Sequence, residues 1–145
     1  MMMDTRATTP NVLFVCLHGS AKSLIAAEHF RKLAAARGLS LHATSAGLEP
    51  DAEIPPKVVN GLLDDGIDVR GRRPRPVDAD ELAEAWRVVA FGCDVTGLGR
   101  GMSAGLFERW DDIPAVSEDS GVARAAIVRR IEELLERCDR ASGAA

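Results

Sequence analysis

An unbroken apolar run, Val12-Leu13-Phe14-Val15, ends in Cys16, and a glycine, a lysine and a serine follow it within seven residues. Four apolar residues with no polar alternation predict a strand buried on both faces, the kind found inside parallel sheets. The helical pattern Leu24-Ile25-Ala26-Ala27 begins directly afterwards. Strand, short loop and helix N-terminus are therefore the predicted unit. Such a loop aims backbone N–H groups and the positive end of the helix dipole at one point. A cysteine facing that point is stabilised as a thiolate nucleophile. A tetrahedral oxyanion fits the same cradle, so the pairing suggests sulfur attack on phosphorus or arsenic. A nucleoside triphosphate loop is excluded: Gly-x4-Gly-Lys-Ser needs glycines where Cys16 and Ala21 stand.

The rest of the chain reads as one α/β domain. Residues 1–10 are expected to be a disordered leader, and residues 11–140 the domain. Strands are predicted at 11–16, 39–45, 87–93 and 106–110. Helices are predicted at 23–37, ended by Gly38, and from Pro55 or Pro56 to Asp65, ended by Gly66. A short helix at 81–85 takes its cap from Asp78 or Asp80, and a long one covers 119–137. Residues 68–70 read as a short strand or turn, 94–105 as a mobile glycine-rich loop, and 141–145 as a tail. In the last helix Val122, Ala126, Ile127, Ile131, Leu134 and Leu135 form the inner stripe, and Glu118 and Asp119 sit at its N-terminus. Alternating strands and helices predict a parallel sheet covered on both faces, a three-layer α/β/α architecture with four strands. Ligands of such sheets bind outside the carboxyl ends of the strands, where Cys16 lies.

Composition narrows the partners. A length of 145 residues suits one domain, and 46% hydrophobic with 28% charged residues is ordinary for a soluble one. A net charge of −4 leaves no nucleic-acid footprint. No apolar run reaches the length of a membrane span, and no signal peptide is read at the N-terminus. Three cysteines without framework spacing fit a reducing, cytoplasmic setting. His18, His29 and His42 are scattered, so no metal site is expected. Arg70, Arg72, Arg73 and Arg75 read as a solvated basic loop.

Cys16, five intervening residues and then Lys22-Ser23 resemble the Cys-x5-Arg-Ser loop of the low-molecular-weight protein tyrosine phosphatases, a fold shared by thiol-dependent arsenate reductases. Thr44-Ser45-Ala46-Gly47 resembles the family's Ser-Ala-Gly after the second strand. The segment from Pro55-Pro56-Lys57 to Gly66-Ile67-Asp68-Val69 resembles its second helix and the stretch beyond. Residues 87–91 resemble its fourth strand, and Trp110-Asp111-Asp112-Ile113-Pro114-Ala115 its acid loop. With His18 after Cys16-Leu17, these segments sit closer to the arsenate reductase branch.

The resemblance implies Cys16 as nucleophile. It implies an oxyanion held by the N–H groups of Leu17, His18, Gly19, Ser20, Ala21, Lys22 and Ser23, with the Ser23 hydroxyl donating to the thiolate. His18 contributes its backbone, with its side chain outward. Gly19 stands where the family often has asparagine, another residue at ease with positive φ. Lys22 replaces the family's arginine, which keeps the charge and loses the two-pronged clamp. The family's acid precedes proline directly. Here Ile113 does, and Asp112 is preferred over Asp111 as proton donor. Cys93 falls near a second redox cysteine of thioredoxin-linked reductases, but with no third cysteine nearby it reads as a buried strand residue. Cys138 lies far along the last helix. An external small thiol of the mycothiol or glutathione class, or a redoxin, is then the expected reductant, and no cofactor is expected. With aromatics at 4% and no tyrosine, only Phe107 and Trp110 are candidates near the acid loop to wall a phosphotyrosine ring. Arsenate reduction is therefore favoured. The alternatives are a phosphatase for phosphotyrosine or small phosphate esters, and an oxyanion-binding protein whose catalysis Lys22 has impaired.

Overall fold

The computed structural model describes residues 10–93, 107–116 and 120–143, with side chains described through residue 139. Residues 1–9 of the expected leader, the glycine-rich loop, Glu118 and Asp119 lie outside these. The elements run β1 (Asn11–Cys16), α1 (Lys22–Ala36), β2 (His42–Gly47), α2 (Pro56–Asp64), α3 (Ala79–Glu84), β3 (Arg87–Ala90), β4 (Phe107–Arg109) and α4 (Ser120–Gly143). All strand pairings are parallel, in the order β2-β1-β3-β4. β1 is therefore central, and the chain leaves it toward β2 on one side and returns to β3 on the other. Cys16 sits at the carboxyl end of β1, where the strand order reverses and such sheets bind ligands.

The period-2 alternation of β1 divides the core in two. Val12, Phe14 and Cys16 face α1, α2 and α4, while Leu13 and Val15 face Leu82 of α3. Residues 12–15 are fully buried, as a central parallel strand requires. On the larger face Phe14 lies 5.8–6.3 Å from Phe30, Phe91 and Trp110, measured between ring centroids. Phe91 meets Trp110 edge-on at 5.4 Å. Each such pair contributes about 0.5–1.5 kcal/mol beyond its buried area. Trp110 is 1% exposed, and its indole N–H donates to Glu108 at 2.7 Å, so its burial leaves no orphan donor. No described helix is long and apolar enough to cross a membrane.

Several sequence expectations shift by a few residues, each for a visible reason. β2 begins at His42 because its partner begins at Asn11, and His42 N–H bonds Pro10 O at 2.8 Å. β3 stops at Ala90 rather than residue 93: Phe91 N–H still reaches Val15 O, but Gly92 turns at φ +63°. Two residues past α1 stands Gly38, φ +72°, and two past α2 stands Gly66, φ +80°, each acting as the glycine stop signal expected. Asp78 is the α3 cap, accepting from Asp80 N–H at 2.8 Å. Two helices lie between β2 and β3, which departs from simple alternation. Residues 68–72 form a turn held by Asp68 and Arg70, with Gly71 at φ +85°. α4 runs to Gly143, into the expected tail. Val122, predicted on the inner stripe, is 52% exposed; Ala123 takes its place in the core. The basic cluster is not simply solvated, because Arg72 reaches Glu28 of α1 at 2.6 Å and Arg75 pairs with Glu81.

Candidate active site

Cys16 Sγ is the focus of the β1–α1 loop. The Gly19 N–H donates to it at 3.1 Å and the Ser23 hydroxyl bonds it at 3.0 Å. An N–H and a hydroxyl thus stand within hydrogen-bond distance of the sulfur, and the same hydroxyl lies 3.5 Å from Ala46 O. Above it lies the N-terminus of α1, whose first N–H groups have no intrahelical partner. Ala21 at the N-cap offers no side-chain cap, and the first turn holds no acidic residue. The donors that a side-chain cap would otherwise meet are thus left open at this end of α1.

A strap from β2 holds this loop by its backbone. Leu48 N–H bonds Cys16 O at 3.1 Å, Glu49 N–H bonds Leu17 O at 2.7 Å, and Asp51 N–H bonds His18 O at 3.1 Å. The Ser20 hydroxyl, 3% exposed, donates to Asp51 at 2.7 Å. The His18 ring lies outward against Glu49 O and Asp51. Gly19 turns at φ +64°, and a Cβ on it would stand 2.7 Å from Gly47 N. A Cβ on Gly47 would stand 2.6 Å from both Gly19 N and His18 C. The two glycines therefore require each other: the loop crosses the end of β2 only because neither carries a side chain.

The loop opens into a cavity of about 370 Å³. Cys16, Leu17, His18, Ser20, Ala21 and Lys22 form one side; Pro55, Lys57, Val58, Phe91, Ala115 and Val116 form the other. Among the described residues its lining carries the cations Lys22 and Lys57 and no carboxylate. Lys22 Nζ donates to Ile113 O at 3.0 Å, which ties α1 to the segment after β4. The cavity thus places two lysine side chains beside a hydrogen-bonded cysteine.

The model of the low molecular weight phosphotyrosine protein phosphatases matches residues 11–109. The chain belongs to that family. Its fold is shared with a low molecular weight protein tyrosine phosphatase from T. tengcongensis, 20% identical, with a TM-score of 0.79 over 89% of this chain and 99% of that one. A thioredoxin-dependent arsenate reductase from Corynebacterium glutamicum is 28% identical over 89% of this chain and 61% of its own, with a TM-score of 0.72. An arsenate reductase in a phosphate-binding state is 25% identical over 89% and 98%, with a TM-score of 0.71. The low molecular weight phosphatase family and these structural neighbours are enzymes, phosphatases and arsenate reductases.

Within this family fold, the structure gathers residues 16–23 at one point but leaves the two aspartates outside the cavity. Asp112 accepts from Arg130 at 2.6 and 2.7 Å and is 66% exposed, and that guanidinium holds its carboxyl below the usual range. This is the opposite of what a proton donor needs. Asp111 pairs with Arg109 at 3.3 Å, also at the surface. Neither aromatic candidate for a ring wall lines the cavity: Trp110 is in the core and Phe107 packs on the opposite face of the sheet, while Phe91 does line it. Lys57, the strap at 48–51 and Phe91 were not singled out from sequence. Only the Pro-Pro-Lys helix start carried a signal for Lys57. Cys93 is half-buried past the end of β3, its thiol 3.7 Å from Val15 O and packed with the α3-side core. Burial pushes the Cys93 and Cys138 thiols up from their ordinary range.

Proposed function

We propose that this protein reduces arsenate through a covalent adduct on Cys16, cleared by an external small thiol. The observation that carries it is the cavity: a cysteine sulfur held by two hydrogen bonds, the N-terminus of α1, two lysines and, among the described residues, no carboxylate. Expelling an alkoxide or phenoxide from phosphorus needs a positioned acid. Arsenate exchanges its oxygens far more readily, and solvent can protonate the departing hydroxide. In the proposed sequence the Cys16 thiolate attacks arsenic and one oxygen leaves as water. A second thiolate then attacks Cys16 Sγ. The S–As bond breaks and its electron pair stays on arsenic, which departs as arsenite, while the two sulfurs form a mixed disulfide. Another equivalent of thiol releases Cys16. Leu17, His18, Gly19, Ser20, Ala21 and Ser23 supply N–H groups to the oxyanion, and Lys22 supplies charge. Resemblance to two arsenate reductases, one in a phosphate-binding state, supports the choice of anion. Three unpaired thiols suit the reducing cytoplasm.

The test is iodoacetamide labelling of Cys16 against pH, with and without arsenate or phosphate, followed by arsenate turnover with glutathione. Rapid labelling at neutral pH, blocked by either anion, and arsenite formation are expected. Cys16→Ser corrects for the buried thiols. Hydrolysis of p-nitrophenyl phosphate without thiol, at higher kcat/KM than arsenate reduction, would replace this reading with a phosphatase. Anion protection without turnover, with activity restored by Lys22→Arg, would identify an impaired oxyanion binder.

A further inference from the structure

A second cavity of about 300 Å³ adjoins the first, between α1, α2 and α4. The two share Lys57, Val58 and Val116 as a common wall. A tetrahedral oxyanion occupies a small part of the Cys16 cavity alone, so the adjoining space is surplus to it. Its interior is largely apolar, with Ile25 and Leu62 on its walls, and a few polar groups converge at its edges.

Three of those groups, His29, Lys57 and Asp64, could meet a ligand. His29 is 5% exposed, and its Nε2 makes no hydrogen bond. That atom lies 3.2 Å from Asp65 Oδ2 without hydrogen-bonding alignment, and both Asp65 oxygens already accept from Arg124 at 2.5 and 2.7 Å. Burial lowers the pKa of His29, against the pull of Asp65, and a polar group entering the cavity would compete with that carboxylate for the ring. Lys57 and Asp64 make no ion pair among the described residues. They stand seven residues apart on one face of α2, about 10 Å along its axis. The surface thus presents a cation at the boundary with the Cys16 cavity and an anion at the far end.

We infer that this adjoining cavity binds the thiol co-reactant, and that its charges select a zwitterionic peptide thiol of the glutathione class. A carboxylate of the thiol meets Lys57, its ammonium meets Asp64, and its amide groups reach His29. The cysteinyl sulfur is then carried across the shared wall to Cys16, where the disulfide-forming step described above takes place. The inference rests on the arsenate reductase reading for its chemistry but not for its binding.

Gly61→Leu is the sharpest test. Gly61 lines only the adjoining cavity, and a Cβ there meets nothing within 4 Å. Leucine also favours the helix over glycine, so the variant adds bulk at the wall of the site and keeps the fold. Phosphate protection of Cys16 against iodoacetamide verifies that fold. S-methylglutathione, which cannot react, is titrated by calorimetry into wild type, Gly61→Leu and Lys57→Gln. Wild type is expected to bind it at millimolar strength or better, and both variants to lose about tenfold or more, roughly 1.4 kcal/mol. With glutathione as reductant, the KM for glutathione should rise by a similar factor relative to the KM for arsenate. Binding that the variants leave unchanged, or no binding by wild type at about ten times that range, overturns the inference. Gly61-dependent binding by a protein that does not reduce arsenate keeps the site and discards the activity.

Discussion

The loop at residues 16–23 and the segment at 110–116 flank one cavity, yet they are built on different terms. The first is held by main chain: strap bonds to Cys16, Leu17 and His18 carbonyls, a glycine pair in contact, and the free N–H groups of α1. The second depends on which way side chains turn, and its two aspartates turn to surface arginines. Backbone donors point where the chain path points them. A carboxylate goes to the strongest partner within reach, and Arg130 offers two hydrogen bonds at once. The half of the site that depends on chain path gathers the residues read from the sequence, and the half that depends on side-chain choice sends its aspartates to the surface.

Variants can break that contrast. Cys16→Ser is expected to reduce arsenate turnover to background, since no other described thiol lines the cavity. Lys22→Met removes the charge facing the oxyanion and the bond to Ile113 O. A loss of about 10²–10³ in kcat/KM is expected, the scale of one well-placed donor, with labelling of Cys16 by iodoacetamide surviving better than turnover. Gly47→Ala forces a Cβ to 2.6 Å from the loop backbone. Chemical denaturation should report about 1–3 kcal/mol of lost stability, as for overpacking, together with lost anion protection. Cys93→Ser should leave arsenate kinetics mostly intact; a loss as deep as that of Cys16→Ser would refute the small-thiol route. The smallest effect is expected for Asp112→Asn, whose kcat against pH should superimpose on wild type. A vanished basic limb in that profile would restore Asp112 as the proton donor and end the contrast drawn here.

The same division explains how far the sequence could be read. Val12 to Val15, the glycine stops at Gly38 and Gly66, and the Cys16-to-Ser23 spacing are local signals, and each matches the structure. Strand ends were less legible, because β2 pairs only as far as β1 reaches and β3 yields at Gly92. Val122 and Ala123 exchange roles because a helical stripe is a wide band, and which edge of it is buried depends on what packs there. Trp110 is only a candidate for a ring wall from its neighbours in sequence; Phe14 and Phe91 claim it for the core.

Sequence alone determined the strand–loop–helix unit, the parallel α/β architecture and the placing of Cys16 below a helix N-terminus. These follow from hydrophobic period, glycine conformation and peptide geometry, which act over a few residues. The tertiary structure decided the rest: that Gly47 makes room for Gly19, that Lys22 binds Ile113 O, that Asp112 belongs to Arg130, and that α2 sets Lys57 between two cavities. Those are contacts between residues distant along the chain, between 28 and 91 positions apart wherever a single partner is named here except Asp112 and Arg130, which are 18 apart. No local pattern encodes such a meeting; it exists only once the layers have packed.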